Sequence, residues 1–147
     1  MTTEGRTIVK TVNERISLST KGSGDFIDIT GDVSRLLKAS GIQTGSVLIF
    51  AVGSTGAITT FEYEPGLIAD MKGFYEQIAS SRRHYFHDDT WGDANGYSHV
   101  RASIAGPSLT IPFEKGKMLL GTWQQIVFAE FDNRSREREI VVQITGE

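Results

Sequence analysis

The sequence contains no cysteine, which excludes a disulfide framework, a thiolate metal site and a cysteine nucleophile together. A chain without thiols points most directly to the cytoplasm. Long apolar runs are missing as well. The longest, Val47 to Val52, has six residues, far short of the roughly 20 that a membrane-spanning helix needs. The N-terminus carries no basic segment followed by an apolar stretch, so a secretory signal is not expected. There is also no excess of basic charge: the net charge is −3, and dividing the chain at Phe74 leaves −1 in the first part and −2 in the second. No basic face is set aside for phosphate backbones, which argues against nucleic acid as the main partner. Only three prolines occur, against 16 glycines in 147 residues, and the glycines follow no tandem period, so many tight turns between short elements are expected. Hydrophobic residues make up 39% of the chain, enough for one core at a length typical of one domain, residues 1–147.

Residues 7–19 alternate apolar and polar around Ile16 and Leu18, the period of a half-buried strand. Phe26 to Thr30 leads into Val33, Leu36 and Leu37 at helical spacing, with Thr30 as N-cap and Gly41 as the stop. The run Val47 to Val52, bounded by Gly45 and Gly53, predicts a central strand buried on both faces. Pro65 opens a second helix with Leu67, Ile68, Met71, Phe74, Tyr75 and Ile78 on one stripe. Residues 80–95 show no period and read as a long polar loop. A short third helix starts after Asn95 as cap. Leu109–Ile111, Met118–Leu120, Gln125–Phe131 and Ile140–Ile144 then read as strands of an antiparallel meander. Ile126 to Ala129 lacks polar alternation, which predicts that a neighbouring subunit covers part of the sheet.

Chemistry-bearing residues gather in the middle of the chain. His84, His87 and His99, the only histidines, lie within sixteen residues, among Asp88, Asp89, Asp93 and Asn95. Imidazole titrates near neutral pH and is the commonest metal ligand, so the group suggests a proton-transfer or metal site. No His-Glu-x-x-His helix is present to make zinc specific. Gly53-Ser54-Thr55-Gly56 follows the buried strand, where small residues let amides and two hydroxyls converge on an anion. No lysine follows at P-loop spacing, and a plain turn leaving the sheet is the simpler account. Glu62 and Glu64 have the spacing of a base and its partner, or of a solvated edge and an N-terminal helix charge. Arg134, Arg136 and Arg138, surrounded by Asp132, Glu137 and Glu139, read as a solvated hairpin. His99 is expected to matter more than His84: with Asn95 as cap, Tyr97, Ser98 and His99 occupy a first helical turn that favours anions and keeps an imidazole neutral.

The runs Asn95-Gly96-Tyr97-Ser98-His99, Gly106 to Pro112, Leu119-Leu120-Gly121-Thr122-Trp123-Gln124-Gln125-Ile126 and Glu130-Phe131-Asp132 closely resemble the YjbQ-like family, the secondary thiamine-phosphate synthase family, over about Thr7 to Gly146. The resemblance implies an α+β fold, a mostly antiparallel β-sandwich with two or three flanking helices, and a homotrimer with a His/Glu-lined pocket. It matches Tyr85 and His87 to one family element, Asn95 and His99 to a second, and Glu62 to the family's glutamate; His84 has no counterpart. Where many relatives carry His-Thr-Thr or His-Thr-Ser, this chain has Gly53-Ser54-Thr55. The activity implied is a transferase joining a pyrimidine pyrophosphate to a thiazole phosphate, with Glu62, His87, His99 and Asn95 as catalytic residues and Ser54, Thr55 and Ser98 on the anion. The alternatives are a metal-assisted hydrolase, with His87 and His99 holding the ion together with His84 or a nearby Asp and Glu62 accepting a proton from bound water, and a non-catalytic trimeric metal- or anion-binding protein. The cofactor expected is a divalent metal, zinc or magnesium, with no organic cofactor; the partners expected are a phosphorylated metabolite and further copies of the chain, with no membrane and no nucleic acid.

Overall fold

The computed structural model describes residues 7–147; the expectation about a secretory signal falls partly on residues outside that range. In chain order the elements are β1 (Lys10–Ser19), β2 (Phe26–Asp28), α1 (Thr30–Ser40), β3 (Thr44–Val52), β4 (Gly56–Phe61), α2 (Pro65–Ile78), α3 (Phe86–Trp91), α4 (Gly96–Ala105), β5 (Ser108–Glu114), β6 (Lys117–Met118), β7 (Gln125–Glu130) and β8 (Glu137–Gly146). They make an α+β fold with two antiparallel sheets, ordered β1-β8-β3-β5-β6 and β2-β7-β4. Four helices accompany the sheets, where two or three were expected. The C-terminal strands do not form a meander: β7 joins the smaller sheet, and β8 inserts between β1 and β3.

The alternation of strand side chains builds the core between the sheets. Val47, Ile49 and Ala51 of β3 and Ile140, Val142 and Ile144 of β8 face Ile58, Ile126 and Phe128 of the smaller sheet, and α1 adds Val33, Leu36 and Leu37. That spacing puts the three α1 side chains on one helical stripe. Gly41, at φ 72°, stops α1 where a Cβ would be strained. Thr30 does not cap the helix; its hydroxyl accepts the Ile126 amide at 2.8 Å, binding α1 to β7. On the other face of the smaller sheet, Val127, Ala129 and Phe131 pack against Tyr75 of α2 and Ala102 of α4. The molecule is therefore layered as large sheet, small sheet, helices.

Two apolar runs exchange the roles expected of them. β7 is covered on both faces within one chain, so Ile126–Ala129 needs no neighbour to shield it. The central strand β3 is instead buried on one face only: Phe50 and Val52 on the other are 40% and 46% exposed. An unbroken apolar run does not say which layer covers each face, or whether any layer of the same chain does. Along α2, the stripe packs only in part: Tyr75 is buried and Ile68 and Met71 are half-buried, while Phe74 and Ile78 are exposed.

Candidate functional site

Residues 80–95 contain the short helix α3, whose six residues give too little sequence for a period to show. The Asp88 Oδ1 accepts the Gly96 amide at 2.9 Å, tying α3 to the first turn of α4. Gly96 is required there, since a Cβ would lie 2.4 Å from the Tyr85 Cβ. This close approach brings His87 of α3 and His99 of α4 together, with ring centroids 4.2 Å apart and planes tilted by 52°. Asn95 precedes α4 but makes no side-chain cap. Its Nδ2 donates to Asp132 Oδ1 at 3.4 Å, which sets the amide's orientation and leaves the buried Oδ1 without a partner.

Opposite the imidazoles stands a wall of buried charge. Glu130 has no exposed surface and accepts four hydrogen bonds: from Arg138 Nε at 2.7 Å and Nη2 at 2.5 Å, from the Thr20 hydroxyl at 2.7 Å and from the Asp132 amide at 2.9 Å. Every lone pair of the carboxylate is engaged, the condition under which a buried ion pair is tolerated. Asp132, equally buried, accepts from Arg136 Nε at 2.6 Å and from the Asn133 amide at 2.8 Å. Burial alone would raise its carboxyl; the hydrogen bonds from Arg136, Asn133 and Asn95 and the Arg136 charge outweigh that and hold it below its ordinary value. The Thr55 hydroxyl joins the two pairs, accepting from Arg138 Nη2 at 2.7 Å and donating to Asp132 at 3.2 Å. Gly53, at φ +132°, leaves the Arg138 Nη1 edge open: a Cβ there would sit 3.1 Å from that nitrogen.

Between imidazoles and wall lies a cavity of about 430 Å³ lined by Gly53, Ser54, Thr55, His87, Trp91, Asp93, Asn95, His99, Arg136 and Arg138. Burial lowers the His99 pKa below the usual imidazole value and the neighbouring His87 lowers it further, against opposing pulls from Asp132 and Asp93. The imidazole is therefore mainly neutral at pH 7, with burial the first cause and the second imidazole the next.

Of the residues expected in the site, His87, His99, Asn95, Ser54 and Thr55 share this cavity. Three do not. His84 is 64% exposed and binds Asp89 Oδ2 at 3.1 Å on the surface. Ser98 is fully buried with an unpartnered hydroxyl and does not line the cavity. Glu62 is an exposed residue just beyond β4, whose other end borders the site; six residues of strand separate them by about 20 Å. Glu64 is the N-cap of α2, accepting the Gly66 and Leu67 amides, so its role is structural. Thr55 lines the cavity with its one proton already committed to Asp132. Arg136 and Arg138 do not belong to a solvated hairpin; they are site residues, with Glu130 and Asp132. Their signal in the sequence is the matching two-residue spacing of Glu130 with Asp132, at and just past the end of β7, and of Arg136 with Arg138, just before and within the start of β8.

The donor set does not suit a three-ligand metal site. His87 and His99 meet, His84 lies elsewhere, and among the described residues no three His, Asp or Glu side chains gather closely enough to hold an ion.

The family model described as UPF0047 protein YjbQ-like matches residues 14–147. The chain belongs to that family. A UPF0047 protein of Methanothermobacter thermautotrophicus is 39% identical over 90% of this chain and 91% of its own length. The Bacillus subtilis UPF0047 protein YugU is 30% identical over 89% of this chain and 97% of its own. Among solved structures, a protein of Sulfolobus solfataricus described as YbjQ-like and of unknown function superposes with a TM-score of 0.89 at 34% identity, covering 95% of this chain and 100% of that one. A hypothetical protein of Aeropyrum pernix superposes with a TM-score of 0.81 at 31% identity, covering 91% of this chain and 99% of that one. No helix among the described residues is long and apolar enough to cross a membrane.

Proposed function

We propose that this YjbQ-like chain is an enzyme that binds a phosphorylated small molecule between the His87–His99 pair and the Arg136–Arg138 wall and moves a proton on it. The observation that carries the reading is the Arg138 guanidinium, clamped by a fully buried Glu130 while its Nη1 edge lies open beside Gly53. An arginine fixed in this way meets phosphate oxygens without first losing side-chain freedom. Ser54, whose hydroxyl has no hydrogen-bond partner among the described residues, adds a donor from the same wall. Neutral His99 accepts a proton from the reacting group, and His87, with its ring centroid 4.2 Å away, packs against the His99 ring and keeps it in the neutral form that can accept one. The finer reading, which follows the family resemblance, is transfer of a pyrimidine from its pyrophosphate to a thiazole phosphate. There the thiazole nitrogen lone pair forms a C–N bond to the pyrimidine methylene carbon as the C–O bond to pyrophosphate breaks, and pyrophosphate leaves with the electrons of that bond toward the two arginines.

Calorimetric titration with inorganic pyrophosphate tests the site. Wild type binds and both His99→Ala and Arg138→Met lose binding; variants that bind like wild type overturn the reading. A coupled pyrophosphate-release assay with pyrimidine pyrophosphate and thiazole phosphate tests the transferase. The same reading takes the chain as one cytoplasmic domain in a homotrimer, for which the exposed Phe50 and Val52 on the outer face of β3 supply apolar surface. Light scattering that returns 16.2 kDa at micromolar concentration counts against the trimer.

A further inference from the structure

At the opposite end of β3 from the histidines is a second, larger cavity of about 550 Å³, between α1 and the β5–β6 hairpin. Three lysines line it, Lys38, Lys115 and Lys117, with the polar side chains of Thr30, Ser34 and Gln43 and an apolar patch of Ile42, Met118 and Leu120. No carboxylate lines it, although the chain as a whole carries a net charge of −3. Among the described residues none of the three lysines is in an ion pair; the nearby Asp32 of α1 is taken by Arg35 at 3.4 Å. Lys38 has one local role, in the last turn of α1, where a cation is favoured by the helix dipole. Lys115 and Lys117 have no such role.

The hairpin is held in place as well as charged. The Gly116 amide donates to the Gln43 carbonyl at 2.9 Å, and the Leu119 amide to the Pro112 carbonyl at 2.9 Å. Lys115 takes φ +52° and Gly116 φ +70°, the pair of left-handed residues that a tight hairpin turn requires and that Asn-Gly satisfies best. A lysine there is strained by about 1 kcal/mol, which its own hairpin does not repay.

We propose that this cavity is a second binding site, for a small organic anion with two or more negative charges whose apolar part rests on Ile42, Met118 and Leu120. The three ammonium groups supply the field, Thr30, Ser34 and Gln43 the polar rim, and the volume suits a metabolite-sized ligand. The cleft between helix and hairpin is open to solvent on one side, but its metabolite-sized volume suits a small molecule better than an extended polymer. The site stands independently of the His87–His99 cavity, with which it shares no lining residue.

Nitrogen–proton correlation spectra of the full chain, titrated with phenyl phosphate, test it. Phenyl phosphate shifts the amides of Gln43, Gly116, Lys117 and Met118, whereas benzyl alcohol, uncharged and similar in body, leaves them in place. The variant Lys38→Gln/Lys115→Asn/Lys117→Gln weakens that binding roughly tenfold or more. Lys115→Asn suits the turn, so the variant folds, and unchanged amide dispersion verifies this. Lys115→Asn alone, with the turn intact, weakens binding by a smaller factor. Shifts confined to the residues around His99, binding unaffected by the triple variant, equal shifts from benzyl alcohol, or binding of an oligonucleotide or acidic peptide at these amides without phenyl phosphate each overturn the proposal.

Discussion

At the Gly53 end of β3 the charges are buried and paired, and at the Thr44 end they are exposed and unpaired. Glu130 and Asp132 have no exposed surface and are saturated by Arg138, Arg136 and backbone amides, whereas Lys38, Lys115 and Lys117 are exposed. The nine residues of β3 keep the two regions about 30 Å apart. Removing one partner of a buried pair strands the other in a medium that cannot solvate it, while removing a surface ammonium leaves only water behind. Site geometry and stability are therefore bound together at the first end and separable at the second.

The sharpest test is Arg138→Met, which leaves Glu130 buried without its cation. A loss of about 3–5 kcal/mol is expected, which lowers the thermal midpoint by roughly 10 °C for a domain of this size. The triple lysine variant should stay within about 0.5 kcal/mol of wild type. Equal losses in the two variants would erase the contrast. His99→Ala lies between the two: pyrophosphate binding disappears while the midpoint holds within a few degrees, and His84→Ala, which removes only the exposed pair with Asp89, changes neither.

Acid titration sharpens the comparison through pairs of intermediate burial. His99 has a folded pKa below the ordinary 6.5, so the unfolded chain takes the proton first. Its contribution to stability is complete above about pH 6.5 and is lost as pH falls through the folded value. His99→Gln should flatten the stability profile in that window. Glu76 joins α2 to the nearly buried Arg101 at 2.7 Å. The Ser80 hydroxyl is the strongest influence on it, and its pKa is held down to about 2 against an ordinary 4.5. Its contribution is present above pH 4.5 and is lost as pH falls toward 2; denaturant midpoints of Glu76→Gln in that range should lose the slope. The smallest effect is a gain: Lys115→Asn relieves the left-handed lysine and raises stability by about 0.5 kcal/mol.

How much of this was legible follows the same division between local and distant causes. Pro65 at the start of α2, Gly41 at the end of α1 and the His87–His99 pairing are local features or family motifs, and they were readable. The arginine wall was not, because Arg136 and Arg138 looked solvated among acidic neighbours in sequence. What buries Arg138 is the meeting of two sheets: β7 carries Glu130 in one and β8 carries Arg138 in the other. Spacing along a chain does not tell which strands face each other. The coverage of β3 and β7 was misassigned for the same reason, since an apolar run does not specify its neighbours. Glu62 had the right chemistry at the wrong end of its strand, a distinction that only the registry of β4 with β7 makes.

The insertion of β8 between β1 and β3 has a consequence for how the chain is made. β1 forms ten cross-strand pairs, all with β8, so the earliest described strand to leave the ribosome waits for the latest before it has any hydrogen-bonded partner. Until then the apolar faces of β1 and β3 stay open to wrong pairings and to chaperones. The same strand carries Arg138, with Arg136 just before it, so that pairing of β8 closes the large sheet and completes the candidate active site together.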